Sequence, residues 1–447
     1  MTINERIESL IAKAPHLWKL DACGVTRSER AIPVMLHPDT YTPATDRMRV
    51  ILIGGLSGHP EDVELTFQAL ESYIAGDDGL IRNTMLSAVP CGNPDGLAQG
   101  VAPDNGAGGN PSAGYPPIDN FFDDPRDPEV RYLWRWASFQ APDFILEVRT
   151  GDTVCWEVSD PDSQRFSGLD VSGLPQDDSL LAELATGSPS GLAPIPGLRL
   201  ICSPDALGIE LNKLWAILSQ PPGYNPSEAR RALDARRSRS SLEVARVLAS
   251  AYGYTLDPVV YTQGVAISGR LRLAQLEPEG PDPTPDIVNL VHPYVSGARE
   301  MFSDRISGAN LAGLVWAAEL AEATGDKKYT ALIISIADRY TASEDDAVPG
   351  PSDPDYRVED MFFSGAILGR AFRITGSQHY LDILTKFLLD ANVQQDDGLF
   401  WHSRSVPYKW GRGNGFAALG FAETLTYLPD NHPDRAALLD IHEKHLS

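Results

Sequence analysis

The segment Trp410-Gly-Arg-Gly-Asn-Gly415 sets an indole, a guanidinium and a carboxamide close together and separates them with glycine. An arginine fork grips a carboxylate with two hydrogen bonds. A tryptophan face supports a sugar ring, and glycine lets the backbone turn and a ligand come close. Together these residues describe a pocket for an acidic sugar. The plainer reading is a surface turn leading into the next helix. Upstream, Arg357-Val-Glu-Asp-Met-Phe-Phe-Ser364 offers the neighbouring carboxylates Glu359 and Asp360, and Gly398-Leu-Phe-Trp-His402 offers an imidazole. For the carboxylates the plainer reading is placement at the N-terminus of a helix from Met361 to Thr375, where negative charge is favoured.

The elements that must position these groups fall into two textures. Residues 1–225 alternate strand-like and helix-like runs. Arg49–Ile53, Met85–Val89, Phe144–Val148 and Leu198–Cys202 read as strands, while Glu61–Tyr73 and Pro128–Phe139 have helical periodicity. That alternation predicts an α/β sheet domain with helices on its faces. The Gly/Pro/Asn-rich run Pro103–Pro117 reads as a long loop. Residues 226–285 form a transition, with a helix over Ser238–Ala251 and a short hairpin over Pro258–Leu276. A linker over Glu277–Pro285 follows, where four prolines in nine residues cannot sustain helix or central strand.

From residue 286 to 447 the pattern is all-helical and repeats. Thr324-Gly-Asp-Lys-Lys-Tyr329 recurs as Thr375-Gly-Ser-Gln-His-Tyr380 at an offset of 51 residues. Each copy joins two apolar helices: glycine ends the first, and the polar residue after it caps the next. A weaker third unit runs from Gly415 through Pro429-Asp-Asn-His-Pro433 to Leu446. Helical hairpins that cannot bury their faces alone stack into a larger array.

Composition bounds the partners. The 447 residues suggest two to four domains, and 43% hydrophobic residues are enough for real cores. A formal net charge of −24 argues against nucleic acid or an anionic membrane, so an acidic ligand needs local positive groups such as Arg412. Met1–Leu10 has no apolar signal-peptide core, and no stretch approaches a membrane span. Cys23, Cys91, Cys155 and Cys202 lack metal or disulfide spacing, so a reduced cytoplasm is the simplest compartment.

The order of the three C-terminal motifs resembles the unsaturated glycuronyl and rhamnogalacturonyl hydrolases of glycoside hydrolase families 88 and 105. Those carry V-D-x-(L/M)-F-M, then G-L-(F/Y)-x-H, then W-x-R-G-N-(G/A)-W, and the resemblance covers roughly residues 286–447. It implies an (α/α) toroid of six helical hairpins and no cofactor. It also implies an acidic oligosaccharide substrate ending in a 4,5-unsaturated uronic acid. An acidic side chain protonates C4 of the double bond, water adds at C5, and the hemiketal collapses to release the remaining sugar. The acid position is Glu359, one methylene longer than the family's Asp, with Asp360 as second choice. His402 would bond the uronate or water. Trp410, Arg412 and Asn414 would stack on the sugar, bind its carboxylate, and bond hydroxyl or backbone. Phe416 stands where the family has a second Trp, and Asn310, with Asp304 nearby, stands where it has a second Asp. Tyr294 and Trp401 are further candidate platforms, with core packing the plainer role. Only 32 residues follow Gly415, so the expectation is either a fragment of a longer gene product or an open ring, whose exposed apolar faces would imply a covering oligomer or partner. A catalytically inactive glycan-binding or assembly module is the alternative function.

The first half resembles a zinc carboxypeptidase domain through Leu52-Ile-Gly-Gly-Leu-Ser-Gly58, Gly92-Asn-Pro-Asp-Gly96 and Ala141-Pro-Asp-Phe-Ile-Leu-Glu-Val-Arg149. The family's metal ligands are replaced by Ser57, Pro60 and Arg149. Neither Pro nor Arg ligates zinc, so no metal is expected, although His59 with Asp62 imitates a shifted pair. The resemblance then implies a degenerate domain, a scaffold or a surface for a small acidic ligand. Arg149 either supplies positive charge at the old site or makes an ordinary salt bridge. An amidase or deacylase activity through this half is the remaining alternative.

Overall fold

The computed structural model describes residues 2–42, 45–117, 126–160, 164–187, 191, 193–220, 226–302, 306–341 and 348–447. They form two compact units, 1–238 and 239–447. No described helix is long and apolar enough to cross a membrane.

The first unit is built on an eight-stranded mixed sheet. Its strands are β1 (Lys19–Val25), β2 (Ala31–Leu36), β3 (Met48–Ile53), β4 (Thr84–Val89), β5 (Phe144–Thr150), β6 (Cys155–Val158), β7 (Val171–Gly173) and β8 (Gly197–Cys202), in the order β1-β2-β4-β3-β5-β8-β6-β7. The central β4, β3, β5 and β8 are parallel, and burial on both faces explains their near-continuous apolar runs. Helices flank the sheet: α1 (Ile3–Lys13), α2 (Pro60–Ile74), α3 (Asp78–Asn83), α4 (Pro94–Gln99), α5 (Pro128–Gln140), α6 (Leu180–Leu184), α7 (Pro204–Ser219) and α8 (Glu228–Arg237). Alternation along β3 sends Val50 and Leu52 into the core with α1, α2 and α7, and Ile51 and Ile53 into the core with α5 and α6. The four strands read from the sequence are present. Of the others, β6 and β7 are short, β1 carries Lys19 and Asp21, and β2 is interrupted by Pro33, which argues against a strand in the sequence.

The second unit is helical: α9 (Ser241–Ala251), α10 (Tyr261–Leu276), α11 (Thr284–Val295), α12 (Gly308–Leu311), α13 (Trp316–Thr324), α14 (Lys327–Ala337), α15 (Val358–Thr375), α16 (Gln378–Asp390), α17 (Gly411–Tyr427) and α18 (Arg435–Leu446). The hairpin expected over Pro258–Leu276 is instead the long helix α10, whose Ile267 and Leu271 fill the core. The expected linker ends inside α11, because Pro285 falls in a first turn that needs no amide donor.

Four helical hairpins follow one another: α9 with α10, α12 and α13 with α14, α15 with α16, and α17 with α18. The inner helices run parallel. Gly413 lies against Val358, Gly420 against Met361, Gly365 against Thr424 and Gly369 against Tyr427, so positions rise together along α15 and α17. In the same sense Tyr261 meets Phe416 and Arg272 meets Tyr427, while Gly308 meets Asp360 and Glu319 meets Arg370. The four inner N-termini therefore share one end of the unit. The inner helices close on a buried cluster rather than an open centre. Arg370 Nε donates to Glu319 Oε1 at 3.0 Å, and its Nη1 to Glu423 Oε2 at 2.8 Å. Arg272 reaches the same two carboxylates at 3.0 and 2.7 Å. Glu319 and Arg370 stand at the 51-residue repeat offset. Among the described residues this is an array of four hairpins, two fewer than the six of the expected toroid.

Candidate functional site

The cleft at the N-terminal ends of α15 and α17 has a volume of about 410 Å³ and is lined by Arg357, Glu359, His402, Val406, Tyr408, Trp410 and Arg412. Each comes from a local device. Arg357 is the N-cap of α15, and Glu359 lies in its first turn. Trp410 is the N-cap of α17, and Arg412 lies in its first turn. Both helix ends present the positive end of the helix dipole, which favours an anion. The intervening loop is tied down from both sides. Val358 N donates to His402 O at 3.0 Å, and His402 N donates to Tyr408 O at 2.9 Å. Asp355 accepts from Ser403 Oγ and Ser405 Oγ at 2.5 Å each. These bonds, the one from Ser403 first, hold the Asp355 carboxyl below its usual pKa range.

Within the cleft Glu359 Oε2 lies 3.5 Å from His402 Nδ1 and 3.8 Å from Arg357 Nε. All three atoms are buried and make no protein hydrogen bond. The His402 and Trp410 rings meet edge to face at 5.5 Å, and the Arg412 guanidinium sits 4.2 Å over the Trp410 ring. One carboxylate, one imidazole, two guanidiniums and one indole face thus converge. The arrangement can move a proton at Glu359 and hold an anion between the arginines.

The expected turn at 410–415 is a helix start. Its glycines serve packing: a Cβ on Gly413 would lie 2.1 Å from Trp410 Nε1 and 3.0 Å from Val358. Asn414 spends its amide on backbone, accepting from Phe400 N at 2.8 Å and donating to Phe400 O and Trp410 O at 3.2 Å each. It clamps α17 to the strand-like run before His402.

Other candidate residues lie elsewhere. Asp360 is 1% exposed, beneath the cleft rather than in it. Its Oδ2 accepts from Asp353 N at 3.0 Å, and its Oδ1 stands unpaired near Gly308 and the equally unpaired Tyr340 hydroxyl. Burial first, against the Asp353 amide and Arg357, raises its pKa to about 6. The N-cap of α15 makes no side-chain cap bond. Asn310 accepts from Ser307 Oγ at 2.8 Å and donates to Val259 O at 3.0 Å, so its amide is consumed in a local cap. Phe416 packs with Tyr261, Phe363 and Phe362 at ring distances of 5.2 to 6.0 Å, away from Trp410. Tyr294 is buried and Trp401 packs against the core. Asp304 lies outside the described residues.

Three cleft residues, Arg357, Val406 and Tyr408, escaped the sequence reading. Arg357 stands two residues before Glu359, a signal that a search for cations near the candidate acid would have found. Tyr408 carried no signal, because only the folded 402–408 loop brings it to the rim.

In the first unit, Ser57, Asp62 and Arg149 are engaged in pairs. Ser57 Oγ donates to Asp62 Oδ2 at 2.5 Å, and Thr150 N donates to Asp62 Oδ1 at 2.7 Å, so both Asp62 oxygens are engaged. Arg149 pairs with buried Glu147, which also takes Arg199 Nε at 2.8 Å. Arg149 thus makes the ordinary salt bridge. Among the described residues no group of three His, Cys, Asp or Glu is arranged to hold a metal.

No family model and no curated protein matches the sequence. Solved structures give loose likenesses. A family 105 glycoside hydrolase of C. acetobutylicum ATCC 824 is 18% identical, with 46% of this chain and 65% of that one covered and a TM-score of 0.40. A metallo-carboxypeptidase from Burkholderia cenocepacia is 14% identical, covers 53% and 68%, and has a TM-score of 0.38. A polysaccharide lyase is 16% identical, covers 46% and 66%, and has a TM-score of 0.37. The chain spans just under two thirds of the first of these proteins.

Proposed function

We propose that the helical unit hydrates the double bond of a 4,5-unsaturated uronic acid at the end of an oligosaccharide. The convergence of Glu359 Oε2 with His402 Nδ1 and Arg357 Nε under the Trp410–Arg412 rim supports this reading. Glu359 gives its proton to C4, water bonded by His402 attacks C5, and Glu359 takes a proton back. The resulting hemiketal opens and expels the remaining sugar. Arg412 and Arg357 hold the uronate carboxylate, and Trp410 carries the ring face. The test follows loss of the ultraviolet absorbance of the conjugated uronate on lyase-generated disaccharides. Signal that disappears with the parent and persists with Glu359→Gln supports the reading. No change on galacturonyl, glucuronyl or ulvan-derived unsaturated uronides sinks it.

A binding-only module is the second reading, motivated by Asn310, whose amide is spent on Ser307 and Val259 where the resembling families have an acid. Saturable binding of the disaccharide without turnover would favour it.

A further inference from the structure

We propose that the groove between α9, α10 and α17 binds a carboxylate carrying a flat apolar body, with Arg270 as its anion anchor. The proposal is independent of the uronide reading.

The groove has a volume of about 450 Å³, within the range of small-molecule sites. Its walls include Leu248, Tyr252, Tyr261, Val265, Phe416 and Leu419. Few polar groups stand there, so a hydroxyl-rich sugar would leave its donors and acceptors unpaired. Aromatic walls instead suit a flat ring. Helix α9 buries none of its residues, and Val244, Val247, Leu248 and Tyr252 stand exposed.

Arg270 supplies the second observation. It is only 9% exposed and lines both this groove and the adjoining cavity of about 380 Å³. Its Nη1 donates to Gly253 O at 2.8 Å, and its guanidinium lies 4.0 Å from the Tyr254 ring centre. It forms no ion pair with any carboxylate among the described residues. Nearby acids are engaged or stand apart: Glu277 pairs with Arg246, Asp282 accepts from Thr284 N at 2.9 Å, and Asp286 lines the adjoining cavity without pairing Arg270. A buried cation normally has an anionic partner. One guanidinium donor is used on Gly253, which leaves the fork free for a carboxylate.

The test titrates the full chain with 2-naphthoate by calorimetry, with neutral 2-naphthalenemethanol as comparator. Expected are one naphthoate per chain, at least about tenfold weaker binding of the alcohol, and a similar loss with Arg270→Gln, as one charge-assisted bond implies. Leu419 is exposed, so Leu419→Glu leaves the fold intact while setting a repelling carboxylate in the groove. It should also weaken naphthoate at least about tenfold. Equal binding of acid and alcohol, no binding, or binding untouched by Leu419→Glu would overturn the proposal. Turnover of unsaturated uronides is read separately, so failure of either idea leaves the other standing.

Discussion

His402 Nδ1 stands 3.5 Å from Glu359 Oε2 although 43 residues separate the two in the chain. The contact exists because Val358 N binds His402 O and so pins the loop across the first turn of α15. If Glu359 is the proton donor, Glu359→Gln should lower turnover of unsaturated uronides by about a hundredfold or more, in the range of general acid catalysis. Asp360→Asn, altered beneath the cleft, should retain turnover. A loss confined to Asp360→Asn would reverse the assignment.

Arg412 tests the anion site separately from the proton donor. Arg412→Gln should raise KM more than it lowers kcat, because a carboxylate grip made before and during reaction is uniform binding. Steady-state rates on one disaccharide measure both, and an unchanged KM would remove Arg412 from the site.

Asp360 gives a pH signature in stability. Its folded pKa of about 6 lies above the ordinary 3.8 because of burial. The folded chain therefore holds this proton more tightly than the unfolded chain. Stability from the protonated carboxyl is fully present below about pH 4 and is lost as pH rises through about 6, by about 3 kcal/mol in total. Asp360→Asn removes the titration, so its stability relative to the parent should climb between pH 4 and pH 7. Urea midpoints at pH 4.5 and 7.5 check the sign, and a relative stability that falls with pH would contradict it.

The clamp at Asn414 should matter for folding. Asn414→Ala leaves the Phe400 amide without its partner and should cost about 2 kcal/mol. Gly413→Ala drives a methyl into Trp410 and should disturb the cleft as well as the fold. Thermal melts with ligand-binding titrations separate the two, since Asn414→Ala alters mainly stability.

At the centre of the helical unit, Arg370→Met should be the most damaging of these changes. It strands Glu319 and Glu423 and should cost about 3–5 kcal/mol. A melting temperature close to that of the parent would show that Arg272 alone neutralises both carboxylates.

Periodicity and local punctuation made much of the architecture legible. The runs at Arg49–Ile53 and Phe144–Val148 announced buried parallel strands, and the Thr-Gly repeats at 324 and 375 announced two helical hairpins. Alternation and capping are properties of neighbouring residues, so a single chain reveals them. The helix α10 was misread because Gly264 and Gly269 break its apolar pattern; Gly264 is there so that the helix can press on Ala312 and Gly313. The turn read at Gly411–Gly415 failed for the same reason, since Gly413 serves close packing rather than a bend.

By itself the sequence determined which groups this protein could bring to chemistry: a carboxylate pair, an imidazole and a Trp–Arg–Asn cluster. It also placed the carboxylate pair at the start of a helix. Which of them meet was decided only by the tertiary structure. Parallel inner helices bring the first turns of α15 and α17 to one end, so Glu359, His402, Trp410 and Arg412 share a cleft. Helical phase did the rest. One residue further along the first turn rotates the side chain by about 100°, which sends Asp360 beneath the cleft, while backbone bonding consumes Asn310 and Asn414 and ring packing claims Phe416.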